Sequence, residues 1–125
     1  MDDASTPGRA DQEIPAAWRP TLSEVVRALV EGDHGMTRSI KGVQQPSADT
    51  AARVRRNIAA YGETLVELPE AAWETSCAQR VSDHRWIVLV DLWTAESGRS
   101  DMVLDVWVET TPEGPTFQIH LVYVP

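Results

Sequence analysis

Apolar residues recur at three- and four-residue spacing through the first half of the chain and at two-residue spacing from Trp73 onward. The first period belongs to helices packed on one side, and the second to strands with one buried face. Leu22, Val25, Val26, Leu29 and Val30 predict a first helix over about Thr21 to Glu31. Its start carries a capping-box pattern in Thr21 and Glu24, and Gly32 supplies a stop. Ser47 caps a second helix whose stripe is Ala51, Val54, Ile58 and Tyr61, ended by Gly62. Between the helices lies a polar, glycine-rich linker in which Ile40 and Val43 are the expected core contacts. Four strands are then predicted, at about 73–81, 86–94, 101–109 and 116–124, joined by short turns that make neighbours antiparallel. The expected fold class is α+β, two N-terminal helices packed on a four-stranded antiparallel meander.

Residues 1–13 have almost no apolar content and are expected to be a disordered tail, with 14–125 forming a single α+β domain. Trp18, between two prolines, is expected to dock on the core.

Strand alternation sorts side chains onto two faces. Trp86, Val88, Val90 and Leu92, then Met102, Leu104, Val106 and Val108, then Phe117, Ile119, Leu121 and Tyr123 share an apolar face suited to the helices. The opposite face carries Ile87, Leu89, Asp91 and Trp93, then Val103, Asp105 and Trp107, then Gln118, His120 and Val122. A five-residue turn over Glu96 to Ser100 would set Asp91 opposite Asp105 and Trp93 opposite Val103, with His120 beside Asp105 on the next strand.

That row, Asp91, Asp105 and His120, is the only candidate for catalysis. Opposed carboxylates raise a pKa or recruit a cation, and a histidine titrates near neutrality. The plainer alternative is a wet sheet face on which His120 simply pairs with Asp105. Trp93 and Trp107, bordered by the same acids, suit an interface anchor, with Glu96, Arg99 and Asp101 as its rim. Alternatively the tail or the linker covers both tryptophans, and the rim forms a local ion pair worth little.

Charge narrows the partner. The chain carries a net charge of -8, and residues 83–125 hold seven acids against two bases. Such a field disfavours nucleic acid and anionic membranes and favours a basic protein. The Arg53-Val54-Arg55-Arg56 cluster is more simply a solvated helix surface. Cys77 is alone, expected as a small core residue, and His34, His84 and His120 lack the short spacing of a metal site. Neither cofactor nor metal is therefore expected, and no secretory signal or apolar span of ~20 residues stands in the sequence. A cytoplasmic location is the default.

The segments GETLVELPEAAWE, WIVLVDLWTAESGRSDMVLDVWV and IHLVYVP, with the helix LSEVVRALVEGD, resemble an uncharacterised family of small bacterial proteins classed only as a domain of unknown function. The resemblance runs from about Trp18 to the end, and is most specific in DLWTAESGRSD and LVYVP. It implies no activity, cofactor or catalytic residue. Ten arginines against one lysine agree with a GC-rich bacterial genome. The expected function is a non-enzymatic, acidic protein-binding module, immunity-like or regulatory, using the outer sheet face. The alternatives are a small-ligand binder or hydrolase using Asp91, Asp105 and His120, and a homodimer made through the same face.

Overall fold

The computed structural model describes residues 11–125. The fold is α+β with a mostly antiparallel sheet, as the change of period predicts, but the sheet has seven strands rather than four. Strands β4 (Cys77–Arg80), β5 (Arg85–Thr94), β6 (Gly98–Thr111) and β7 (Gly114–Tyr123) form the meander. Three two-residue strands extend it: β1 (Asp11–Gln12) on β4, β2 (Val43–Gln44) parallel to β7, and β3 (Leu65–Val66) on the end of β5. Two residues carry no period, so these strands leave no mark in the pattern. Residues 1–10 of the expected tail lie outside the described residues, whereas Asp11 and Gln12 pair with Gln79 and Ala78.

Helix α1 (Arg19–Val30) starts two residues earlier than the capping pattern indicates. A 3-10 turn at Ala16–Trp18 leads into it, and Pro20 sits in its first turn, where a missing N–H leaves no bond unmade. Its end is a Schellman motif. Gly32 takes φ +85°, its N–H donates to the Leu29 carbonyl at 3.0 Å, and the Asp33 N–H donates to the Ala28 carbonyl at 2.9 Å. Helix α2 (Ala48–Tyr61) begins on Ser47, whose hydroxyl accepts the Thr50 N–H at 3.1 Å, and a third short helix, α3 (Ala72–Thr75), precedes β4. Among the described residues no helix is long and apolar enough to cross a membrane.

The helices bury Leu22, Val25, Val26, Leu29, Val54 and Trp73 against one face of the sheet, in a single cluster with Val88, Val90, Leu92, Met102, Leu104, Val106 and Val108. Trp18 is the joint between layers, meeting Trp86 edge-on at 5.8 Å and Phe117 edge-on at 6.3 Å. Ile40 and Val43 pack against the cluster from the linker, as expected. Cys77 does not join it: the residue lies opposite Leu89 on the other face, partly exposed.

Two irregularities change the predicted register. The β5–β6 turn is only Ala95 to Ser97, and the spare chain is taken up inside β6 between Arg99 and Val103. There the Ser100 hydroxyl enters the ladder, donating to the Leu92 carbonyl at 2.8 Å and accepting the Met102 N–H at 3.1 Å. Pairing slips by an even number, so faces survive but partners change. The second irregularity is a bulge at His120, between the pairs Asp105–Leu121 and Val106–Ile119. One extra residue reverses the alternation, and Val122 becomes fully buried while Leu121 and Tyr123 are only partly so.

Candidate functional site

The side chains on the outer face of β5, β6 and β7 range from buried to exposed. Asp105 sits at its centre. Leu89 is opposite on β5, Leu121 opposite on β7, and Val103 precedes it on the same face of β6. These neighbours leave Asp105 only 8% exposed, and its Oδ1 is buried without a hydrogen-bond partner among the described residues. Burial pushes its carboxyl pKa up, while the charge of His120 and the indole N–H of Trp107 pull the other way. Asp105 in turn raises the pKa of Tyr123, an effect second to burial of the phenol.

Asp91 does not complete a row with it. The slip in β6 sets Asp91 opposite Val103, and its carboxylate is taken by the Thr75 hydroxyl while its N–H donates to Ser76 Oγ at 2.9 Å. His120, displaced by its bulge, stacks on Trp107 with ring centroids 4.7 Å apart and planes 16° from parallel. The structure thus brings Asp105, His120 and Trp107 together and leaves Asp91 to brace the end of α3.

Trp93 and Trp107 do not form one patch. Trp93 lies opposite Arg99 and Val66, and Trp107 opposite Ile87. Six residues of β5 separate those positions, about 20 Å of strand. Trp93 is partly buried, and Trp107 is 42% exposed.

The hairpin residues have structural work. Glu96 accepts the Thr64 N–H and hydroxyl, each at 2.8 Å, and these bonds hold its pKa below the usual carboxylate range. In return Glu63 accepts the Thr94 hydroxyl at 2.7 Å and the Ser97 hydroxyl at 2.9 Å. Asp101 donates its N–H to the Tyr61 hydroxyl at 3.0 Å. Among the described residues Glu96, Arg99 and Asp101 make no ion pair with one another.

A groove of about 250 Å³ opens at the end of the outer face. Its floor is two adjacent rows of the register. One runs Gln44, Gln118, Trp107, Ile87 across β2, β7, β6 and β5, and the next runs Thr116, Glu109, Arg85. Four strands at their usual spacing make the first row about 14 Å long. Pattern alone could not find this groove, because β2, which brings Gln44 to it, is two residues long.

Residues 26–125 match the family described as Domain of unknown function (DUF7668). No curated protein and no solved structure matches the chain.

Proposed function

Because the chain belongs to the DUF7668 family, whose description assigns no activity, we propose from the site itself that this is a non-enzymatic binding module, immunity-like or regulatory, that docks a basic protein on its outer sheet face. The observation that carries this is Asp105. A carboxylate oxygen buried without a partner costs stability, of order 1–3 kcal/mol, and such a cost is typically kept where the site serves something other than folding. Around it the partly exposed Leu89 and Leu121 and the exposed Trp107 supply the apolar area of an interface centre, and Asp91 and Glu109 stand on the same face. A basic partner answers the net charge of -8 and the acids that border this face.

The hydrolase alternative retains Asp105 and His120 but loses Asp91 from the row, and the ring of His120 is engaged on Trp107. Binding is therefore preferred over catalysis.

Titration of the uniformly 15N-labelled chain with lysine- and arginine-rich peptides, and with acidic peptides of equal length, tests the proposal. Basic peptides are expected to shift amides of β5, β6 and β7 around Leu89, Asp105 and Leu121, with affinity falling as salt rises. Shifts confined to α1 and α2, or equal responses to acidic and basic peptides, would sink it.

A further inference from the structure

We infer that the groove at the end of the outer face seats an arginine side chain of the docking partner, its guanidinium lying flat on Trp107 and its N–H groups directed at Glu109. The inference rests on the outer face being the docking surface, and goes beyond it by naming the side chain and its seat.

The indole is already oriented for this. His120 covers one side of the Trp107 ring, the other side has no stacking partner among the described residues, and Trp107 lines the groove. Tryptophan is the strongest of the aromatic rings for a cation laid on its face. Holding the ring on one side beforehand lowers the ordering cost of binding on the other.

Glu109 supplies the counter-charge at the right place. It follows Trp107 by two residues on the same face of β6, about 7 Å along the strand. Its side chain is exposed, and among the described residues it is in no ion pair. A planar, forked donor can stack on the ring and reach a carboxylate in its own plane; a compact, strongly hydrated ammonium does this poorly. Gln118, opposite Trp107, adds a carboxamide oxygen within the same row.

Size and field agree. The groove's volume of about 250 Å³ leaves room for one long side chain and solvent. The excess of acids in residues 83–125, seven against two bases, draws cations toward this end of the chain. One groove residue opposes the ligand. Arg85 faces Glu109 directly across β5 and β6, so an incoming guanidinium competes with it for the carboxylate. Removing Arg85 should tighten binding of a cation and weaken binding of an anion.

The test is an NMR titration of the full 15N-labelled chain, following the Trp107 indole N–H, with an acetylated arginine tetrapeptide amide and its lysine and citrulline counterparts. The arginine peptide is expected to shift the Trp107 resonance saturably, the lysine peptide several-fold more weakly, and the citrulline peptide not at all. Trp107→Leu, which keeps an apolar side chain without a π face, should weaken binding about tenfold. Glu109→Gln should weaken it about fivefold and flatten its salt dependence, and Arg85→Ala should tighten it. Unchanged core resonances in Glu109→Gln and Arg85→Ala separate these effects from misfolding. A weaker complex in Arg85→Ala, or a stronger response of Trp107 to benzoate than to the arginine peptide, overturns the assignment in favour of an anion site. Shifts across the outer face that spare Trp107 leave the docking surface standing and remove only its arginine seat. No shift anywhere on the face removes both.

Discussion

Replacing Asp105 by leucine should stabilise the protein at neutral pH and leave it little changed in acid. Asp105 is 8% exposed, its Oδ1 has no partner among the described residues, and its neighbours across the sheet are Leu89 and Leu121. An unsatisfied buried acceptor costs about 1–3 kcal/mol. Leucine removes that cost and matches both neighbours, but it forfeits the contacts with His120 and the Trp107 indole, together worth about 1 kcal/mol. The net expectation is a gain of up to about 2 kcal/mol at pH 7.5, or up to roughly 8 °C in Tm for a domain of this length. The pH dependence follows from the raised carboxyl pKa in the folded chain. A group that holds its proton more tightly when folded favours folding at low pH, and that advantage is lost as pH rises through the folded-state pKa. Below about pH 4, the ordinary carboxyl range, both states are protonated and the wild type bears no ionic penalty. The advantage of Asp105→Leu should therefore grow from about pH 4 upward and level off above the folded-state pKa. Urea unfolding of both proteins from pH 3.5 to 8 measures it, with the slope m checked for constancy. A destabilised variant at pH 7.5, or a difference independent of pH, refutes the account of Asp105.

Other expectations are local. Glu63→Ala removes the acceptor of the Thr94 and Ser97 hydroxyls and should cost about 1–2 kcal/mol in urea unfolding. The lowered pKa of Glu96 means that its contribution is present above the ordinary carboxyl range and fades as pH falls through the folded value, read as a smaller protection of the Thr64 amide, relative to its intrinsic exchange rate, in acid. Ser47→Ala should cost about 1 kcal/mol by uncapping α2. Gly32→Ala should cost about 1–2 kcal/mol through its φ of +85° alone, since an added Cβ meets nothing within 4 Å.

The two main helices and the two faces of the long strands were legible because each repeats its period over many residues. Val88, Val90 and Leu92, then Met102, Leu104, Val106 and Val108, are buried as alternation requires. The partners across the sheet were not legible. Register is set by turn length, and the β5–β6 turn hides its true length behind Ser100, whose hydroxyl substitutes for a backbone group inside the strand. The expected opposition of Asp91 and Asp105 fell with it. Glu96 looked free because its partner, Thr64, lies 32 residues upstream with no local signal, and Glu63, which takes the Thr94 and Ser97 hydroxyls, lies beside it. Asp105, His120 and Trp107 were named from the sequence, but the contact of His120 with Trp107 depends on a bulge that composition does not announce.

The bulge at His120 also sets which substitutions the last strand can bear. Before it, polar residues are tolerated at even positions, as at Gln118 and His120; after it the tolerant positions are odd. A charged residue at 121 or 123 would find water nearby, whereas one at Val122, fully buried opposite Leu104, would be forced into the core. Mutational scanning of β7 should therefore show two phases of tolerance with a break at His120. Deleting His120 should close the bulge with Leu121 still opposite Asp105 and Val122 still inward, so its cost should be the lost stack on Trp107 rather than a reversed strand.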